Sequence, residues 1–271
     1  MTIWIALLLG IVQGLCEFLP VSSSGHLLLL QSLAGINPDQ GGAFFTVMLH
    51  VATLVSVCIV YRKKLLELIK HPFQKTVLYL IVATLPTVAV ALLLKKVEPF
   101  ASFYVIANEG SFLGGCFLIT AAMLLLSDFA AGGGDEFKRP LDKMKLGDSL
   151  IIGFMQAIAV LPGVSRSGLT ITGAEFASLD KKAAADFSFL MSIPAILGGA
   201  VLEAKDAVEA GSIGVSIPCL LVGMLAAGVT GYFAVNWMLK IIKTKKLWPF
   251  ALYTGVLGII VIILQFMGLV G

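Results

Sequence analysis

The sequence predicts an all-α integral membrane protein: six transmembrane helices plus two re-entrant half-helix pairs, arranged as two inverted-topology repeats. Three observations lead there. The 271 residues are 58% hydrophobic and only 13% charged, with a mean hydropathy of +0.99, against about 25% charged in soluble domains. Several apolar runs are long enough to cross a hydrocarbon core of ~30 Å, which takes about 20 residues. Lastly, a polar stretch near the start, Gln13 through His26, has a counterpart 143 positions later.

Taken in order, residues 3–19 are apolar but contain Glu17 and run into Pro20, and 27–34 is too short to cross alone. The Ser-rich loop between them would sit at depth, where irregular backbone is tolerated only against protein or a water-filled cavity. A re-entrant pair of half-helices is therefore expected, followed by a turn at 36–42 with Pro38 and a Gly pair. Spans follow at 43–60, 76–94 and 109–127, separated by a basic loop at 61–75 and a mixed loop at 95–108. Residues 128–148, with Gly132-Gly133-Gly134 and charges of both signs, read as a polar linker. The second half repeats the plan: half-helices at 149–161 and 167–179, then spans at 185–202, 214–236 and 249–268. The expected division is thus 1–127, a linker at 128–148, and 149–271, within one membrane domain.

Basic residues fall on alternate loops. Arg62, Lys63, Lys64, Lys70 and Lys75 mark one side, and Lys138, Arg139, Lys143 and Lys145 return to it. Lys240, Lys243, Lys245 and Lys246 return again. By the positive-inside rule these loops are cytoplasmic and both termini lie outside. Each half has one re-entrant pair and three crossings, and an odd number of crossings inverts the second half. The two loop tips then approach from opposite faces, as in membrane proteins with broken helices at a shared site.

The offset of 143 superposes Gly10, Gln13, Val21, Ser22, Ser24 and Gly25 on Gly153, Gln156, Val164, Ser165, Ser167 and Gly168, and sets Ser23 against Arg166. Arg166 is the most informative residue, since a cation at membrane depth costs about 2.5–3.5 kcal/mol even on the lenient insertion scale. It reads either as a phosphate clamp, guanidinium donors matching phosphate oxygens, or as a snorkelling or ion-paired structural residue, with Glu17 as the partner. Both Ser-Gly loops open half-helices, so their N–H groups and helix dipoles favour an anion, although Ser-rich loops are often plain N-caps. Ser22, Ser24, Gly25, Ser165, Ser167, Gly168 and Thr170 are the candidate binding residues. Glu17, four residues after Gln13 and on its helix face, reads as cation ligand, general base or orienter of His26. Ser23, His26 and Glu17 together suit a nucleophile–base–orienter set, and a metal-bound water is equally compatible. Val160 stands opposite Glu17, so the acid occurs once. Gln13, Gln156 and His50 are supporting candidates, and Glu175 and Asp186 read as interfacial or structural.

The elements Gln13-xxx-Glu17, Pro20-Val21-Ser22-Ser23-Ser24-Gly25-His26 and Pro162-Gly163-Val164-Ser165-Arg166-Ser167-Gly168-Leu169-Thr170 resemble the bacterial undecaprenyl-diphosphate phosphatases, the bacitracin-resistance membrane phosphatases. The resemblance spans nearly the whole chain. It implies hydrolysis of undecaprenyl diphosphate to the monophosphate that cell-wall synthesis recycles, a divalent cation (Mg²⁺ or Ca²⁺), and a site facing the outer side of the bacterial cytoplasmic membrane. It also implies Glu17, Ser23, His26 and Arg166 as core residues. Many members have Glu where this chain has Gln13, so no charge-dependent role falls to Gln13.

Two rival readings fit the residues less well. A phosphatidic-acid-type lipid phosphatase needs a second His about six residues after the Arg, where Thr172 stands, and a Lys-x₆-Arg-Pro element that is missing. A transporter or flippase of lipid phosphates shares the inverted-repeat plan but has no need of a one-sided Glu17–His26 pair. The four cysteines are isolated in apolar segments, which leaves zinc and redox readings unsupported. The N-terminal run lacks a basic lead and is interrupted by Glu17, so no cleaved signal is expected. Nucleotide motifs and basic–aromatic interleaving are also missing, so no nucleic-acid partner is expected. Polyprenyl diphosphate and membrane lipids are the expected partners, with a homodimer left open.

Overall fold

The computed structural model describes residues 1–36, 42–131, 138–209, 214–244 and 246–270, and the side chains of all of these except 130, 131, 202–209, 243 and 244. Most of the expected 36–42 turn and the Gly132-Gly133-Gly134 run lie outside the described residues. The helices in chain order are α1 (Ile3–Phe18), α2 (Ser23–Leu33), α3 (Gly42–Val60), α4 (Arg62–Lys70), α5 (Lys75–Lys96), α6 (Phe100–Asn108), α7 (Leu113–Ala131), α8 (Leu146–Ile158), α9 (Arg166–Phe176), α10 (Lys181–Glu209), α11 (Ile217–Thr244) and α12 (Trp248–Phe266). Five of them, α3, α5, α10, α11 and α12, are long and apolar enough to cross a membrane. A sixth candidate is the pair α6 and α7, which meet at 91°. This is a multi-pass membrane architecture. Along α5 the exposed Leu78, Ile81, Leu85, Val88 and Leu92 recur at helical spacing, a stripe suited to lipid rather than to a soluble core.

Three expectations need correction. The 95–108 loop contains α6: Pro99 caps its start, where the missing N–H costs no helix bond, and Glu98 accepts from the Ser102 hydroxyl (2.8 Å). The 61–75 loop contains α4, whose Leu68 is buried while Leu66 and Ile69 stay exposed among the lysines. Arg139, expected in a free linker, instead forms a bridge with Leu179 and pairs bidentately with Asp148 at 2.9 and 3.1 Å. Its guanidinium also donates to the Ala177 carbonyl at the end of α9.

α1 and α8 are short, 16 and 13 residues, or about 24 and 20 Å at ~1.5 Å per residue. α1 stops at Pro20, since the residue ahead of proline is pushed out of the helical region, and Leu19 there is extended (φ −75°, ψ 145°); α8 ends at Ile158, ahead of the turn that carries Pro162. α2 and α9 then restart under serine caps. The helices pack reciprocally: α1 lies on α11 while its counterpart α8 lies on α5, and α3 meets α10 as α7 meets α12. Glycines permit this closeness. A Cβ on Gly10 would sit 2.3 Å from the Gly223 carbonyl oxygen, and one on Gly153 would sit 2.4 Å from that of Ala83. Gly10→Val or Gly153→Val should each cost about 1–3 kcal/mol or more by overpacking, read as a lower melting temperature in detergent. Gly115→Ala, facing open space, should melt no lower than the parent.

Candidate functional site

The loops that break α1–α2 and α8–α9 touch. Ser167 Oγ donates to the Leu19 carbonyl at 3.0 Å, and a Cβ on Gly25 would lie 2.8 Å from Gly163 Cα. Each loop is built alike. Ser22 Oγ accepts from Gly25 N (3.3 Å) and Ser165 Oγ from Gly168 N (3.1 Å), so both serines cap their helices. Ser22–Ser24 and Ser165–Ser167 hydroxyls pair at 3.4 and 3.3 Å. At the cap itself the backbones differ: Ser165 has φ −74°, whereas Ser22 has φ 69°, a left-handed backbone that costs a non-glycine residue of order 1–3 kcal/mol and tends to occur where geometry matters.

Glu17 is the hub between them. Its Oε1 accepts from Arg166 Nη2, and its Oε2 accepts from Ser23 Oγ at 2.6 Å and Gln13 Nε2 at 2.9 Å. His50 Nε2 lies 3.4 Å from the same Oε2. Ser23 and Arg166, the offset pair, thus converge on opposite oxygens of one carboxylate that is only 2% exposed. The charges compensate each other, which a buried pair requires.

The structure does not join Ser23 to His26. The His26 ring turns toward α12, with Nδ1 2.7 Å from the Ser22 carbonyl and Nε2 2.7 Å from Tyr253 Oη. It stacks on Tyr253 and meets Phe117 edge-on. A carbonyl only accepts, so Nδ1 donates; the imidazole therefore fastens the start of α2. Gln156 is likewise separate from Glu17, donating to Thr87 Oγ1 at 2.9 Å. Thr170 bonds the Arg166 carbonyl and Ser188, holding the first turn of α9. Glu175 and Asp186 accept from Ser127 and Tyr61.

A cavity of ≈ 830 Å³ opens beside this cluster. Glu17, Ser23, His50, Ser165 and Arg166 line its polar end. Val88, Leu92 and the 194–201 stretch of α10 line an apolar flank, and Lys95 and Lys96 stand at the end of α5. Whether a hard divalent cation fits follows from the donors. No three His, Cys, Asp or Glu side chains converge among the described residues. Glu17 offers one carboxylate, and Gln13 Oε1 is a buried oxygen without a partner. Such a set fits a cation that shares its ligands with a phosphorylated molecule, as Mg²⁺ sites commonly do.

Three positions escaped the sequence reading. Thr120 Oγ1 accepts from Ser165 N at 2.9 Å and donates to the Gly163 carbonyl; Tyr253 holds His26; Thr87 holds Gln156. Only Thr87 left a trace, since the offset of 143 places Thr230 opposite it. Thr120 and Tyr253 sit in plain apolar helices and became legible only when those helices came together.

Fold and site together define a helical membrane protein with two broken-helix loops around a buried carboxylate–guanidinium pair, at the head of a half-apolar cavity. The family model described as Bacitracin resistance protein BacA matches residues 6–260. Undecaprenyl-diphosphatase 3 of Bacillus cereus is 42% identical over 261 residues, 96% of each chain. Undecaprenyl-diphosphatase of Carboxydothermus hydrogenoformans is 42% identical over 265 residues, 97% of each. The Alkaliphilus metalliredigens protein of that name is 40% identical, covering 97% of this chain and 98% of its own. The chain belongs to the bacitracin resistance protein family.

Removing the Tyr253 hydroxyl leaves a buried His26 nitrogen without its partner, at about 1–3 kcal/mol. Tyr253→Phe should therefore lower the melting temperature in detergent, while Tyr232→Phe, on a half-exposed ring, should not.

Proposed function

We propose that this protein hydrolyses undecaprenyl diphosphate to undecaprenyl phosphate and inorganic phosphate. The observation that carries the reading is the Glu17–Ser23–Arg166 constellation at the polar end of a cavity with an apolar flank. The relatives' names agree with it. A diphosphate seats against the guanidinium and the N-termini of α2 and α9, and the prenyl chain follows the apolar flank toward lipid.

Ser23 donates to Glu17 rather than to His26, so Glu17 is the base the geometry favours. As Ser23 Oγ attacks the terminal phosphorus, its proton passes to Glu17 and the bond to the bridging oxygen breaks, releasing undecaprenyl phosphate. Water then cleaves the phosphoserine, freeing phosphate and returning the proton to Ser23. Arg166 donates one N–H to Glu17, and its fork retains further donors for phosphoryl oxygens, where charge on the transferring group is stabilised. His26 acts through the loop it fastens. Glu17, with the Gln13 carbonyl oxygen, would hold Mg²⁺ or Ca²⁺, which supplies charge neutralisation on the diphosphate. A carrier would have no use for a hydroxyl donating to a carboxylate, which favours hydrolysis over flipping.

We further read the chain as two inverted repeats, 1–127 and 149–271, each with a re-entrant pair and three crossings. The reciprocal packing of α1 on α11 and α8 on α5 supports this. The cavity extends along α5 from Thr84 to Lys96, away from the basic 61–75 segment, and so opens on the outer face of the bacterial cytoplasmic membrane.

Phosphate release from undecaprenyl diphosphate in detergent tests the activity. Arg166→Ala should reduce the rate at least about 10²-fold, as loss of a transition-state donor does, and EDTA should suppress the parent until Mg²⁺ or Ca²⁺ is restored. A folded parent that binds the lipid yet releases no phosphate would overturn the assignment. For orientation, Lys96→Cys and Lys143→Cys in a cysteine-free parent should be labelled by an impermeant maleimide from opposite faces of the membrane. Labelling of both from one face would rule out the topology.

A further inference from the structure

His50 lies on α3, well apart in sequence from the two loops, yet it reaches the central carboxylate. Its Nδ1 is 2.8 Å from the Thr46 carbonyl, which can only accept, so Nδ1 carries a proton and a neutral ring turns the lone pair of Nε2 outward. That nitrogen lies 3.4 Å from Glu17 Oε2, and both residues line the cavity. The separation exceeds the ~2.7–2.9 Å of a charge-assisted hydrogen bond. It matches two neighbouring ligands on one ion: donors each ~2.1 Å from a shared cation and this far apart subtend about 110° at it.

We propose that Glu17 Oε2 and His50 Nε2 are adjacent ligands of one divalent cation, and that the imidazole gives the site a preference for a transition ion over Ca²⁺. Imidazole suits first-row transition ions, whereas Ca²⁺ takes oxygen. The inference rests on the diphosphatase reading only for the remaining ligands, which are diphosphate oxygens. Oε2 now accepts from Ser23 and Gln13; of its two lone pairs one keeps the Ser23 hydroxyl, as the base role requires, and the other is freed for the cation when Gln13 turns. A half-turn of the Gln13 amide exchanges Nε2 for Oε1. That oxygen is buried without a partner, so the same half-turn gives it a cation to bind.

The test uses the full chain in detergent with Mn²⁺ and methylenediphosphonate, whose P–C–P bridge is not hydrolysed. Pulsed electron paramagnetic resonance reads nitrogen coupled to the ion, and the diphosphonate contributes none. Coupling should be present in the parent, lost in His50→Gln and retained in His26→Gln. The Mn²⁺ affinity of His50→Gln should fall at least about tenfold, the low end of what even an outer-sphere partner contributes at a metal site. Zn²⁺ should displace Mn²⁺ at lower concentration than Ca²⁺ does. Parent protein grown on nitrogen-15 histidine needs no substitution and should change to the nitrogen-15 pattern. The inference is overturned if the parent shows no nitrogen coupling, if coupling survives His50→Gln, or if Ca²⁺ displaces as well as Zn²⁺. Phosphate release is measured separately: coupling without hydrolysis would sink the phosphatase reading alone, and hydrolysis without coupling would sink only the role of His50.

Discussion

The Glu17–Arg166 pair is the constraint on which the remaining architecture rests. Each charge alone would be costly to withdraw from water, and removing one partner of a buried pair typically costs about 3–5 kcal/mol. The carboxylate comes from α1 and the guanidinium from the first residue of α9, so compensation is reached only when the two loops meet. Everything that brings the loops together is therefore also what makes the charges tolerable: the Ser167 bond to the Leu19 carbonyl, and the glycine contact between Gly25 and Gly163. Folding of the halves and assembly of the site are one event rather than two.

Small residues set how closely that event can proceed. Gly10 and Gly153 bring α1 onto α11 and α8 onto α5 at backbone distance, where lipid offers no hydrophobic drive and packing must supply the attraction. Short broken helices leave loop backbone to be satisfied, and the cap serines, Thr120 and His26 each take a share. Polar residues here are thus mostly occupied with backbone. Glu17, Ser23 and Arg166 differ in that their side chains address one another at the edge of the cavity, and Nε2 of His50 lies beside them.

Much of this was legible in the order of residues. The caps at Ser22 and Ser165, the breaks before Pro20 and Pro162, and the pairing of Ser23 with Arg166 follow from local chemistry and a fixed offset. The partners of His26 were not legible. Its closeness in sequence to Ser23 invited a catalytic pairing, but the Ser23 hydroxyl turns to Glu17 while the His26 ring turns to Tyr253, 227 residues away. His50, a supporting candidate from the sequence, lies 3.4 Å from Glu17; an imidazole in an apolar run gives no sign of such a neighbour until the helices are packed. α6 escaped because a Pro and a Glu at 98–99 read as loop residues although they open a helix.

The offset between Ser23 and Arg166 has a consequence for how such a site can come into being. Two identical chains paired about an axis must present the same residue at both positions: two serines, with no cation to balance the acid, or two arginines facing each other. A hydroxyl on one side and a guanidinium on the other require the halves to be written separately in one polypeptide. The connection between them is then more than a tether, because it is what lets two similar loops drift toward unlike chemistry while still closing on a single carboxylate.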